Sequence, residues 1–157
     1  MNSYRCVQQS HAHCMVCGSR EHNSDSLGLV FTPQVDGSVS APFVVNPKYQ
    51  GYTGLLHGGM TSTLLDAAMT HCLFMQGIQA LTAELTVHFM APIHVRQRLL
   101  VCAKMLSQRR GLYQLEAWLG FGGLAERLDQ PPLVDRIIQQ VVARFPNDPR
   151  VALRFEL

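Results

Sequence analysis

The stretch His57-Gly58-Gly59-Met60-Thr61-Ser62-Thr63-Leu64-Leu65-Asp66 begins the longest helix that the sequence predicts. A histidine and two glycines precede an apolar segment, and Asp66 is the only Asp, Glu, Lys or Arg between positions 51 and 83. We predict a single helix over residues 57–76, roughly 30 Å long at 1.5 Å per residue. Gly77 can adopt the left-handed conformation that ends a helix. Because most sides of this helix are apolar, we expect it to be buried.

Strand patterns and turns occupy much of the remaining chain. Alternating or β-rich segments predict strands at 27–33, 38–45, 80–90, 95–107, 112–121 and 133–145. Turns are predicted at 35–37 and 109–111, and irregular segments at 1–26, 46–56 and 122–132. The tail 146–157 has no assignment. One long helix followed by long antiparallel strands is an α+β pattern.

Composition limits the class of protein. A chain of 157 residues with 47% hydrophobic and 15% charged residues fits one folded domain. A net charge of +2 without a basic stripe argues against nucleic acid as a partner. We find neither a bilayer-spanning segment nor an apolar signal region. The odd number of cysteines, five, favours free thiols in a reducing compartment, so we expect a cytoplasmic protein without a membrane partner.

The predicted helix start has the chemistry of an oxyanion site. The first N–H groups of a helix lack intrahelical partners and attract negative charge. Gly58 has no side chain, so a substrate oxygen can approach its N–H closely. Asp66 lies roughly 12 Å further along the helix, at 1.5 Å per residue. One chain cannot readily bring both groups to one carbonyl, which predicts a site shared between two copies.

Several motifs around this helix carry a resemblance to a known family. They are QGYTGLLHGG at 50–59 with Asp66 nine positions after His57, TAELTVHFMAP at 82–92, and a leader with CMVCG at 14–18. Together they resemble the hotdog-fold acyl-CoA thioesterases, and most closely the phenylacetic-acid-degradation type, over roughly residues 14–145. The resemblance implies one domain over 1–157, with a Cys/His-containing leader at about 1–26. It also implies a long central helix wrapped by a curved antiparallel sheet.

The resemblance also implies roles for individual residues. Asp66 would be the nucleophile or general base that acts on an acyl-CoA or acyl-carrier-protein thioester. The Gly58 N–H would polarise the thioester carbonyl, His57 would support that turn, and Thr82 would orient the water or the carboxylate. Substrate contacts are expected from Gln50, Gly59, Met60, Met69, Leu73 and Phe89. The basic pair Arg109-Arg110 is a candidate for the phosphates of coenzyme A.

The resemblance implies a homodimer, possible pairing of dimers into a tetramer, and no cofactor, since coenzyme A is part of the substrate. A non-catalytic acyl-CoA-binding protein and a hotdog hydratase or dehydratase remain alternatives. Retention of Asp66 argues against the first, and the missing His/acid motif argues against the second. Asp66 as a solvated acid and Thr82 as a plain strand residue are the structural alternatives. We expect His71 to be a hydrogen-bonded core histidine.

The segment His11-Ala12-His13-Cys14-Met15-Val16-Cys17 allows three interpretations. Cys-x-x-Cys beside histidine can bind zinc, but structural zinc sites usually draw ligand pairs from two segments, and no second pair follows. We expect His11 and His13 to lie too close in sequence to meet both sulfurs. A redox dithiol needs a strand and a helix around it, and the sequence predicts neither in this segment. A structural leader without metal is therefore expected, with metal binding and redox activity as alternatives.

Overall fold

A computed structural model describes residues 3–121 and the backbone of residues 133–143. It contains two α-helices and six strands: α1 (Ser3–Gln8), β1 (Thr32–Pro33), β2 (Val39–Val44), α2 (Gly58–Phe74), β3 (Ala80–Phe89), β4 (Arg98–Arg109), β5 (Leu112–Phe121) and β6 (Leu133–Ala143). Short 3₁₀ helices cover Gln9–His11 and Pro47–Tyr49. The predicted α+β arrangement of one long helix and an antiparallel sheet is confirmed. No helix in the described ranges has the length and hydropathy needed to cross a bilayer.

The strands form one antiparallel sheet in the order β1-β2-β4-β5-β6-β3. Although β3 directly follows α2 in the chain, it pairs with β6. Within the described residues, β3 is therefore an edge strand ten residues long. An edge of this length leaves a row of backbone groups available for pairing with another chain.

Helix α2 is buried against the sheet, mainly against β4 and β5. Leu64, Leu65 and Ala68 have no exposed surface. The helix begins because His57 has extended backbone and its Nδ1 accepts the Gly59 N–H at 2.8 Å. The positive φ of Gly77, 70°, follows its end, as predicted. The predicted bounds were wrong by one residue at the start and two at the end, since His57 is the cap rather than the first helical residue.

A β-bulge in β3 changes which side chains face the helix. Thr82 and Glu84 pair with consecutive residues of β6, so Ala83 is the additional residue of the bulge. The less exposed positions are 80 and 82 before the bulge and 85 and 87 after it. Because a bulge inserts one residue, it reverses the alternation of side chains along a strand. Thr82 and Phe89, seven positions apart, consequently both face α2.

The β4–β5 hairpin confirms the predicted turn. Arg110 and Gly111 both have positive φ, 49° and 79°, as a two-residue turn matched to strand twist requires. The predicted strand 95–107 was displaced, because Arg96 has φ 67° and interrupts the extended backbone before β4 begins. The prediction for the last strand extended two residues beyond β6. Those two residues, the loop 122–132 and the tail lie outside the described residues.

The N-terminal region departs most from the prediction. Residues 1–26 were expected to be irregular, yet α1 forms there and packs on α2. A six-residue helix is unstable alone, so it depends on this packing. The predicted strand 27–33 is reduced to β1, since the N–H groups of Leu27 and Leu29 donate to Met15 and Val16 of the leader.

His71 joins α1 to α2 and is, as predicted, a hydrogen-bonded core histidine. Its Nδ1 lies 2.8 Å from the Tyr4 hydroxyl, and its ring stacks on Phe31 with centroids 4.4 Å apart. Its side chain is fully buried, and Nε2 has no hydrogen-bond partner within the described residues. Burial, followed by the nearby charge of His11, lowers the pKa of His71 from 6.5 to about 4, while Cys14 acts in the opposite direction.

This lowered pKa predicts a pH-dependent stability. Between pH 6.5 and about 4 the unfolded chain binds a proton at His71 that the folded chain does not. The free energy of unfolding should therefore fall as the pH is lowered through this window, by at most about 3 kcal/mol, and this loss should level off below it. Urea unfolding of wild type and of His71→Gln at several pH values in this range measures how steeply the free energy of unfolding of each protein depends on pH. His13→Gln, at an exposed histidine, is the control; parallel slopes for wild type and His71→Gln would contradict the assignment.

Candidate active site

A carboxylate is held where α2 meets the edge strand β3. The Thr82 hydroxyl donates a hydrogen bond to Oδ1 of Asp66 at 2.6 Å. Both side chains are partly exposed. The bulge at Ala83 gives Thr82 its direction toward α2. A hydroxyl that donates to an ionised carboxylate forms one of the stronger types of hydrogen bond. We call Asp66 and Thr82 the carboxylate half-site.

The start of α2 presents a backbone donor. Within the described residues the Gly58 N–H has no hydrogen-bond partner, as expected for the first turn of a helix. A Cβ at Gly58 would lie 3.3 Å from two ring carbons of Phe89, so a larger residue would crowd this ring. A Cβ at Gly59 would approach Nδ1 of His57 to 2.9 Å, against the atom that caps the helix. Glycine at position 58 therefore leaves room for the Phe89 ring, and glycine at position 59 leaves room for the capping nitrogen of His57.

A cavity of about 410 Å³ adjoins this donor. Its walls come from the loop before α2, the first turn of α2 and the end of β3 with the segment that follows it. They include Tyr52, Leu55, Gly58, Phe89, Met90 and Pro92. The lining is mainly apolar, with a backbone donor at one side, which suits an acyl group that ends in a carbonyl. We call Gly58, Phe89 and this cavity the amide half-site.

The two half-sites are separate in one chain. Gly58 and Asp66 lie roughly 12 Å apart along α2, at 1.5 Å per residue. Asp66 and Thr82 do not line the cavity beside Gly58. The described chain thus brings Asp66 together with Thr82, and Gly58 together with Phe89, but it does not bring these two pairs together.

Other predicted substrate contacts have different positions. Gln50 is exposed, and its amide holds its own loop: Nε2 donates to the Pro47 carbonyl at 2.7 Å, and Oε1 accepts the Gly54 N–H. Met60 is partly buried beside the core. Met69 and Leu73 are 1% and 2% exposed and fill the core. They do not line the cavity beside Gly58, and their role as a pocket floor stays a prediction.

Most residues that line this cavity were not predicted from the sequence, and Tyr52 and Met90 are the most exposed of the large ones. Both are large, apolar in part and exposed, at 84% and 64%. Tyr52 lies in a segment predicted to be irregular and Met90 at the end of the predicted strand 80–90. The loop before α2 and the segment after β3 bring them together, which no local pattern indicates. The Gly-rich loop next to the helix start was the available signal. Arg109 and Arg110 are exposed at the β4–β5 turn and do not line this cavity.

The N-terminal segment forms a third group of reactive side chains. Ligand atoms of His11, Cys14 and Cys17 all lie within 4.8 Å of one another. The expectation that His11 could not meet both sulfurs was wrong, because the chain reverses direction after the 3₁₀ helix at Gln9–His11. His13 turns away, and its ring contacts His22. Hydrogen bonds from Cys17 and then His11 hold the pKa of the Cys14 thiol well below its usual range.

Comparison with known proteins identifies the fold. Residues 53–117 match the model of the thioesterase superfamily. The crystal structure of one thioesterase superfamily protein aligns with a TM-score of 0.71 at 21% identity, covering 83% of this chain and 60% of that protein. This chain therefore spans about three fifths of the length of that neighbour. The PaaI protein of the Escherichia coli phenylacetic acid degradation operon aligns with a TM-score of 0.67 at 18% identity, covering 92% and 97% of the two chains.

A hypothetical thioesterase from Streptococcus pneumoniae, crystallised with coenzyme A, gives a third comparison. It aligns with a TM-score of 0.64 at 15% identity, covering 76% of this chain and 88% of that protein. Crystal structures of this thioesterase also include alanine mutants of an aspartate and of a threonine sixteen positions later, the spacing of Asp66 and Thr82 here. The resemblance to hotdog-fold thioesterases that the sequence indicates is confirmed.

The Thr82–Asp66 hydrogen bond predicts a stability difference. Thr82→Val keeps the shape of the side chain and removes the hydroxyl, so the free energy of unfolding should fall by about 1 kcal/mol, the usual size for a partly exposed hydrogen bond. Thr82→Ser should retain most of the stability. Urea unfolding measures both. Thr86→Val, an exposed threonine on the same strand, is the control for strand propensity, and equal effects at the two threonines would contradict the contact.

Proposed function

We propose that this protein hydrolyses an acyl-CoA thioester at a site that two copies of the chain build together. The observation that carries the proposal is the Asp66 carboxylate, which the Thr82 hydroxyl holds at 2.6 Å on a helix without another Asp, Glu, Lys or Arg. A structural acid on a solvated helix face would have charged neighbours, and this one has none on α2. The superfamily match over residues 53–117 supports the same reaction class.

The amide half-site suits the electrophile. A thioester carbonyl placed in the cavity would direct its oxygen to the Gly58 N–H at the positive end of α2. This donor would stabilise the negative charge that develops on the oxygen during attack. The Phe89 ring beside Gly58 would shield the reacting carbonyl from bulk water. His57 contributes by fixing the first turn through its hydrogen bond with the Gly59 N–H.

The carboxylate half-site supplies the base or nucleophile. As a general base, Asp66 takes a proton from water while the water oxygen bonds to the acyl carbon. The carbon–sulfur bond then breaks, and the thiolate leaves and takes up a proton. As a nucleophile, Asp66 forms an acyl anhydride that water cleaves to the same acid and thiol. Thr82 orients the carboxylate in either route. Coenzyme A is part of the substrate, and no cofactor or metal enters the reaction.

Pairing of two β3 strands would bring the half-sites together. Among the described residues the strand is an edge of the sheet, and it carries Thr82 near one end and Phe89 at the other. Leu81 and Phe89 are 43% and 58% exposed, which is surface that a partner can cover. In an antiparallel two-fold pair, the Thr82 end of one strand lies beside the Phe89 end of the other. Each carboxylate half-site then meets an amide half-site of the second copy.

The similar proteins support an acyl-CoA substrate over other thioesters. The Streptococcus pneumoniae neighbour was crystallised with coenzyme A, and the aspartate and threonine mutated in it have the spacing of Asp66 and Thr82. The PaaI neighbour belongs to an operon for phenylacetic acid degradation. A cavity of about 410 Å³ accommodates an aryl or short acyl group, which makes aryl and short acyl-CoA the first substrates to test.

Asp66→Asn tests the assigned chemistry. The amide keeps the size of the side chain and can still accept from Thr82, but it is neither a base nor a nucleophile. We expect kcat/KM for hydrolysis of the best acyl-CoA to fall by at least about 100-fold. Release of free thiol from short, long and aryl acyl-CoA substrates, followed optically, measures the rate.

Asp25→Asn is the matched control, since Asp25 is an exposed acid in the leader. It should retain the wild-type rate. Unchanged hydrolysis by Asp66→Asn would exclude the assigned role. Tight binding of acyl-CoA by wild type without release of thiol from any substrate would instead identify a non-catalytic binding protein and refute the proposal.

A further inference from the structure

The leader holds three metal-ligating side chains in one place, outside both half-sites. Sγ of Cys14, Sγ of Cys17 and a ring nitrogen of His11 lie within 4.8 Å of one another. Cys17 Sγ is 3.8 Å from Nδ1 of His11. All three residues are partly buried, and both cysteines are free thiols. Soft sulfur donors with an imidazole are the ligand set that zinc prefers.

The backbone around the three residues forms a closed loop. The Cys14 N–H donates to the His11 carbonyl at 2.9 Å, and the Gly18 N–H donates to the Cys14 carbonyl at 2.8 Å. The Ser19 N–H donates to the Ala12 carbonyl at 3.0 Å and closes the loop. A Cβ at Gly18 would lie 2.4 Å and 2.6 Å from backbone atoms of Cys14, so only glycine fits there. The glycine after the second cysteine thus permits the tight turn that places both sulfurs on one side.

Contacts outside the three residues fix their orientation. The Val16 N–H points at Cys14 Sγ at 3.4 Å, a backbone donor directed at a sulfur ligand. The His11 ring packs edge-on against Phe74, with centroids 4.8 Å apart. Metal sites generally depend on such neighbours to orient their ligands. Phe74 is the last residue of α2, so the cluster lies at the opposite end of the helix from Gly58.

We propose that His11, Cys14 and Cys17 bind one Zn²⁺ ion, with a fourth ligand supplied by water or another small donor. Zinc binds thiolate sulfur at about 2.3 Å and imidazole nitrogen at about 2.0 Å, which separates tetrahedral ligand atoms by roughly 3.5–3.8 Å. The 3.8 Å between Cys17 and His11 already meets this requirement. Small side-chain rotations bring the remaining separations, at most 4.8 Å, into range.

The fourth position has access to solvent. A cavity of about 580 Å³ reaches Cys17 and Gly18 and also contains Arg5 and Arg20. Water can approach the cluster from this side, and the two arginines favour an anionic donor there. Binding links the leader to the end of α2 through His11 and Phe74. A disulfide between Cys14 and Cys17, by contrast, would require an oxidant, and it would not explain why His11 lies beside the two sulfurs.

Metal analysis of the full-length protein tests the proposal. The chain, expressed with zinc and desalted without chelator, should contain about one zinc per chain. Replacement of zinc by Co²⁺ should give the intense visible bands of tetrahedral cobalt together with thiolate-to-cobalt charge transfer. Chelation should lower the Tm, because the metal stabilises the folded leader. His11→Ala, Cys14→Ser and Cys17→Ser should each reduce the zinc content to below roughly one in ten chains.

Cys6→Ser and His13→Ala are the matched controls, since both residues are exposed and lie outside the cluster. They should retain the metal. Wild-type protein that contains no zinc, and that shows no thiolate-to-cobalt charge transfer when Co²⁺ is added, would overturn the proposal. A disulfide between Cys14 and Cys17 in protein purified without chelator would also overturn it. Equal loss of zinc in the controls would place the metal elsewhere. If a ligand variant does not fold, the wild-type zinc content and cobalt spectrum decide the question without it.

Discussion

The rigid rise of α2 is the constraint on which the proposed active site depends. A helix fixes Gly58 and Asp66 roughly 12 Å apart, and no side-chain rotation brings a carboxylate across two turns to its own helix start. Leu64 and Leu65, between the two groups, have no exposed surface, so the surrounding core holds this part of the helix in place. In the proposed function, one chain therefore carries both half-sites without joining them, and a second copy is needed to complete the site.

The edge strand β3 connects this constraint with the position of each half-site. Its bulge at Ala83 restores Thr82 to the helix side while Phe89 also faces the helix. Without the extra residue, regular alternation would direct one of these two side chains away from α2. The same strand is an edge of the sheet among the described residues. The positions of Thr82 and Phe89 and the proposed dimer contact thus depend on the same strand. A change that disturbs one of them is expected to disturb the other.

The parts of the molecule that depend on local patterns of residues could be predicted from the sequence. The span of α2 with its stop at Gly77 and the β4–β5 hairpin follow from residue type and spacing. The missed features depend on contacts between distant segments. Helix α1 is stable because Tyr4 meets His71, sixty-seven positions later. The bulge at Ala83 is set by pairing with β6, and the leader folds back on α2, where His11 packs on Phe74. Such contacts leave no periodic signal in the chain.

Complementation between two inactive variants distinguishes a shared site from a site within one chain. Asp66→Asn removes the carboxylate, and Gly58→Val blocks the amide beside Phe89. Each homodimer should be inactive. After the two variants are unfolded together and refolded, half of the dimers should contain one variant of each kind, with one intact site. The mixture should therefore recover about one quarter of the wild-type hydrolysis rate. No recovery, in a mixture shown to contain mixed dimers, would contradict the shared site.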